Sequence, residues 1–134
     1  MNLRFGMAAV AGACAISVAA ASAQAPQKTT NDGVYTAAQA ERGKKAFSAS
    51  CTTCHDTDRF SGATFTDAWA GKPMKEIWDV ASGTMPEDNP GSLKQQEYAD
   101  ILAYFLSLNA FPAGEAELAP GAGPMANIKI EKKK

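Results

Sequence analysis

The pentapeptide Cys51-Thr52-Thr53-Cys54-His55 limits this chain more than any other stretch. Its Cys-x-x-Cys-His spacing is the attachment signature of a c-type haem. Residues three apart on a helical turn share a face, so Cys51 and Cys54 can both reach the vinyl groups of one porphyrin. His55 follows directly and can set an imidazole nitrogen on the iron. Blander readings of a bare Cys-x-x-Cys are a thioredoxin-like dithiol, half of a zinc site, and a plain disulfide. The chain has three cysteines and one histidine, and Cys14 falls in an N-terminal leader, so no second pair exists to complete a zinc site of four protein ligands. A disulfide closing so short a loop would stabilise little.

The leader is Met1-Asn2-Leu3-Arg4-Phe5, one positive charge, followed by an Ala-rich apolar run to about Ala21. Ala21-Ser22-Ala23 is a small-x-small cleavage pattern, and residues 1–23 read as a secretory signal peptide. The competing reading is an uncleaved anchor, which Ala and Gly would hold only weakly in a membrane; membrane contact is expected only in that case. A lipoprotein reading through Cys14 is weaker, because Ala11-Gly12-Ala13-Cys14 lacks a large aliphatic residue ahead of the small pair. Loss of the leader takes Arg4 with it, leaving 12 of the 13 Lys and Arg against 14 Asp and Glu, a net charge of −2. No basic balance points to nucleic acid. The one basic cluster is the stretch 129–134, for which a solvated tail is reading enough.

Residues 24–34 are polar with Pro and Gly and read as a linker. Thr36-Ala37-Ala38-Gln39 is a capping-box pattern that opens a helix through Ala40, Gly43 and Phe47 into the haem motif. Gly43 inside that helix predicts close approach by another element. A short helical segment is expected over Thr64–Ala70. Pro73 then suits the first turn of a helix with an apolar stripe of Met74, Ile77, Trp78 and Ala81, ending at Ser82-Gly83-Thr84. Met85-Pro86-Glu87-Asp88-Asn89-Pro90-Gly91 is an irregular loop. Ser92-Leu93-Lys94-Gln95 is a second capping-box pattern, opening a helix with Tyr98, Ile101, Leu102 and Phe105 in register and Asn109 as its stop. Residues 111–134, rich in Ala, Gly, Pro and Glu, read as an extended low-complexity tail. No strand alternation of any length and no repeat is visible. The ordered part is then a single domain over residues 35–110, all-α, about 75 residues of short helices and marginal without a staple such as a covalent haem.

With His55 the sole histidine, a second iron ligand would have to be Met74, Met85, Met125 or a lysine, unless the position is open. A thioether is a soft donor that favours ferrous iron. Met74 lies on an apolar stripe and reads as core; Met125 lies in the tail. Met85 sits in a Pro-bracketed loop between helices and is the candidate we carry forward.

These pieces together resemble the small soluble class I, monohaem c-type cytochromes, including the cytochrome c domains associated with bacterial quinoprotein dehydrogenases. The resemblance covers about residues 36–110. It rests on Gly43 and Phe47 ahead of Cys51-x-x-Cys54-His55, on Gly83-Thr84-Met85-Pro86, and on the run Tyr98–Leu106. It implies a small cytochrome c fold around one haem c, held covalently through Cys51 and Cys54 with iron between His55 and Met85. In that family the first and last helices cross at a small residue, a part Gly43 would play against the Ile101–Tyr104 face. Family members often carry a Gly-Pro pair after the motif histidine whose carbonyl orients the imidazole N–H. No proline stands between His55 and Pro73, and a carbonyl from Ser61–Ala63 is the expected substitute. Trp69, Lys72 and Arg59 are candidates for the propionates.

The implied function is that of a periplasmic electron carrier rather than an enzyme, with redox-protein donor and acceptor: a quinoprotein or other periplasmic dehydrogenase, and a terminal oxidase. The alternatives are a dedicated haem subunit of such a dehydrogenase, with the tail as its docking segment, and a haem enzyme or sensor with an open sixth site.

Overall fold

A computed structural model describes residues 27–133. The expected signal peptide, with Cys14, and the start of the expected linker lie outside the described residues. The fold runs β1 (Lys28–Thr29), α1 (Ala37–Ser50), α2 (Gly62–Trp69), α3 (Met74–Thr84), α4 (Gln95–Leu108), α5 (Ala122–Ala126) and β2 (Ile128–Lys129), with 3-10 turns at Thr30–Asp32 and Thr57–Phe60. The all-α expectation holds for the body of the domain.

The principal packing is α1 across α4. Gly43 makes it possible: a Cβ there would lie 1.8 Å from the Asp100 carbonyl oxygen. The close approach is thus at Asp100 and Ile101, at the edge of the face expected for it. Beside the crossing, the Arg42 Nε donates to Asp100 Oδ2 at 2.9 Å and its Nη2 reaches Oδ1 at 3.1 Å and Glu117 at 2.9 Å. Gln96 Nε2 supplies a further donor to Asp100 at 2.8 Å, so this buried carboxylate is well satisfied. Hydrogen bonds donated to Asp100 and then Glu117 raise the already high Arg42 pKa further, which keeps the guanidinium charged at every working pH.

The first capping pattern forms in part, and the second gives way to a cap two residues further on. Thr36 Oγ1 accepts the Gln39 N–H at 3.1 Å, the first half of the expected box. The Gln39 side chain does not turn back to Thr36, because it is spent inside: Nε2 donates to the Leu118 carbonyl at 2.9 Å and Oε1 accepts the Leu118 N–H at 2.7 Å. The fourth helix begins at Gln95 rather than near Ser92, since Glu97 Oε2 accepts the Lys94 N–H at 2.9 Å and caps the helix there. It stops at Asn109 as expected.

The tail is where the structure departs from the sequence reading. Residues 111–133 are not extended but fold back over the domain, and residues 28–34 are not a free linker. Phe111, Leu118, Met125, Ile128 and Ile130 are buried in the core, as are Val34 and Tyr35. The Tyr35 hydroxyl donates to the Phe111 carbonyl at 2.7 Å, and the Gly114 N–H to the Tyr35 carbonyl at 2.7 Å. Gly114 lies so close to Gly33 that a Cβ would stand 2.0 Å from the Gly33 carbonyl oxygen. The second strand pairs in parallel with the first, Lys28 opposite Ile128. Ile130 exchanges hydrogen bonds with the α2–α3 connection, through Gly71 N–H at 2.8 Å and the Lys72 carbonyl at 2.9 Å. α5 packs on α3, with Met74, Ile77 and Trp78 buried on the latter. The ordered domain therefore spans the described chain and gains a core larger than helices alone would supply.

Two substitutions test this packing. Gly43→Ala forces the helices apart and should cost about 3 kcal/mol or more, read as a fall in the denaturation midpoint. Gln39→Ala leaves both Leu118 backbone groups buried without partners and should cost about 2 kcal/mol, whereas a free tail would make it nearly neutral.

Candidate haem site

The first helix delivers the motif. Cys51 caps α1, its N–H donating to the Phe47 carbonyl at 2.8 Å. The Cys51 carbonyl then accepts the N–H of Cys54 at 3.1 Å and of His55 at 2.9 Å, which winds the pentapeptide into one tight turn. Cys51 is half-buried against the core and Cys54 is exposed, and no disulfide joins the two. Burial pushes the Cys51 thiol pKa up.

His55 is half-buried with its ring edge-to-face on Phe60, centroids 5.5 Å apart at 82°. Phe60 in turn stacks on Phe105 of α4 at 4.2 Å and 5°, and meets Phe47 edge-on at 5.5 Å. The segment that carries Phe60 is fixed by a residue whose part the sequence reading missed. Asn109 Nδ2 donates to the Phe60 carbonyl at 2.9 Å and to the Phe105 carbonyl at 2.8 Å, while its Oδ1 accepts the Gly62 N–H at 2.9 Å. The only signal at Asn109 was that of a helix stop. Of the carbonyls of Ser61–Ala63, expected to face the imidazole, those of Ser61 and Gly62 are engaged by α2. Ser61 accepts Phe65 N–H at 3.4 Å and Gly62 accepts the Thr66 hydroxyl at 2.9 Å.

Met85 lies at the end of α3, its N–H donating to the Ala81 carbonyl at 3.2 Å, and the Met85–Pro86 peptide is cis. The Met85 carbonyl accepts the Tyr98 hydroxyl of α4 at 2.6 Å and the Gly91 N–H at 3.1 Å. Its side chain is half-buried, whereas Met74 and Met125 are 1 % and 0 % exposed. Of the propionate candidates, Trp69 is half-buried with the Lys72 ammonium 5.2 Å from its ring centroid, and Arg59 is exposed on the 3-10 turn after His55.

This donor set fits a haem. Two unbridged thiols one turn apart can each form a thioether, and the adjacent imidazole is a nitrogen ligand. A bare metal ion fits less well: among the described residues no group of three or more His, Cys, Asp and Glu side chains converges to hold one. The haem would be held by Cys51, Cys54 and His55, and it would supply a one-electron ferric/ferrous couple.

Residues 38–105 match the family model described as cytochrome c oxidase, cbb3-type, subunit III. No curated protein and no solved structure gave a match to the chain. The matched span holds the crossing of α1 on α4, the Cys51–His55 turn and the Met85 loop, and stops short of the tail. It covers half of the chain, which belongs to this family of c-type cytochrome domains, carries covalent haem c with its iron, and serves haem-based electron transfer.

Proposed function

We propose that the protein is an exported, periplasmic monohaem cytochrome c that passes single electrons between redox proteins, with His55 and Met85 as the axial ligands of its iron. The observation that carries the ligand choice is the burial of the methionines. Met74 and Met125 are sealed in the core, which leaves Met85 as the described methionine that is not buried. The loops bearing His55 and Met85 are also fastened to one face of α4. Phe105 holds the first through Phe60, and Tyr98 holds the second by its hydroxyl. Seven residues separate Tyr98 from Phe105, two helical turns and a rise of about 10.5 Å. One rigid element thus sets the spacing of both ligands, which suits a site whose coordination stays constant as the charge on the iron changes.

A dehydrogenase is the donor in this reading, a quinoprotein or another of its kind, and a terminal oxidase the acceptor. The family description itself names an oxidase subunit. The reading of a dedicated dehydrogenase subunit offered the tail as a docking segment. With Leu118, Met125, Ile128 and Ile130 all turned inward, that segment has little apolar surface left for a partner. A freely diffusing carrier is favoured, and it should elute alone where a subunit would co-elute with its dehydrogenase.

The ferric holoprotein should carry the sulfur-to-iron charge-transfer band of Met ligation. Met85→Ala should abolish it and lower the reduction potential, while Met74→Ala should keep the band and cost about 2–5 kcal/mol of stability. A band that survives Met85→Ala would remove Met85 from the site; a wild-type protein without it would restore the open-site reading. Tyr98→Phe should cost about 1 kcal/mol and weaken the band without abolishing it, followed by absorbance through a thermal melt.

A further inference from the structure

We propose that Asn109 is a positioning residue for His55, acting through Phe60: its side-chain amide fixes the loop that holds Phe60 against the imidazole, and so sets the angle of the ring plane. The inference rests on the reading of His55 as the iron's nitrogen ligand.

An imidazole is free to turn about its Cβ–Cγ bond unless something holds it, and metal-bound histidines are ordinarily held by a hydrogen bond to the other ring nitrogen. In this chain the carbonyls of Ser61 and Gly62 are engaged by α2, and no proline stands between His55 and Pro73 to supply a rigid one. Aromatic packing is what the structure offers in their place. Phe60 stands edge-to-face to the His55 ring, so rotation of the imidazole drives it into the Phe60 ring. Phe60 can resist only if it is itself immobile. Stacking at 4.2 Å on Phe105 fixes its plane, and edge contact with Phe47 closes another side.

Among the described residues, Asn109 is the side chain that holds the Phe60 backbone. Asn109 follows Phe105 by one turn of α4, so the residue that stacks on the Phe60 ring and the residue that binds the Phe60 carbonyl share a face of one helix. The amide reaches both sides of the turn between the 3-10 segment and α2. Nδ2 holds the Phe60 carbonyl and Oδ1 holds the Gly62 N–H, where the chain has φ +60°. The second Nδ2 hydrogen closes on the Phe105 carbonyl, which fixes the amide's own rotamer. Donor and acceptor must therefore both be present and the right way round. Aspartate, of the same shape, keeps the acceptor for Gly62 but loses both donors and sets a negative charge against two carbonyls.

The test uses ferric holoprotein carrying Asn109→Asp, Asn109→Ala or, as a control distant from the haem motif, Gln39→Ala. Each is followed by the paramagnetic proton shifts of the haem methyl groups, which report the orientation of the imidazole plane, and by its thermal midpoint. The expected result is a reordering of the methyl resonances in both Asn109 variants, with the wild-type order kept in Gln39→Ala despite its lower midpoint. Methyl shifts unchanged in the Asn109 variants, or reordered equally in all three, would overturn the inference and leave Asn109 a purely structural cap. Should Asn109→Ala not fold, Asn109→Asp alone decides, since it keeps the shape and one hydrogen bond. A wild-type ferric spectrum without histidine ligation would instead overturn the site reading, and is recognised before any variant is made.

Discussion

The first and fourth helices touch backbone to backbone because Gly43 has no side chain, and the remainder of the molecule is laid out from that contact. With the α1 axis drawn down onto the Asp100 carbonyl, Phe47 one turn further on is delivered to Tyr104 and Phe105. The helix then ends at Cys51 with the motif turned toward the same aromatic cluster. A wider crossing would withdraw Phe47 from Phe105, uncover Phe60 and leave His55 without its neighbour. The polar network beside the crossing has a different effect. Arg42 is half-exposed and its pairing with Asp100 adds little net stability, but Asp100 is buried and its oxygens need the partners that the network supplies. The network therefore selects the register of the crossing more than it strengthens it.

The fourth helix does two jobs with one face. Tyr98 fastens the loop of Met85, Phe105 and Asn109 fasten the loop of His55, and the residues between them, Ile101 and Leu102, are core. Each loop is short and irregular and has little packing of its own. Precision in such a site comes from the rigidity of the element to which the loops are tied, and a helix buried along most of its length is the stiffest element available.

What the sequence disclosed and what it withheld follow from how each kind of information is written. The helices of the body carry 3.6-residue periodicity and terminal signals, and their positions were legible to within a few residues. The Cys-x-x-Cys-His spacing is a local chemical constraint, legible without any fold. The tail was not legible, because Leu118, Met125, Ile128 and Ile130 follow no period and stand among Pro, Gly and Ala. Their burial is decided by partners far away in the chain, such as Gln39 and Gly71. The same holds for Gln39, whose place in a capping pattern concealed a better partner. Asn109 is the instructive case within the site. Its residue type announced the end of a helix correctly, and nothing local could announce that a loop from the other side of the motif would dock on its amide.

The parallel pairing of Lys28 with Ile128 has a consequence for the order of events. A chain that emerges N-terminus first has nothing to set beside its first strand until the last one is available, and contacts of so long a sequence separation form slowly even then. The Cys51–His55 turn lies in the first part of the interval these strands enclose. Pairing of these strands thus waits on residues well past the Cys51–His55 turn, and it closes the fold over a body that the α1–α4 crossing has already laid out.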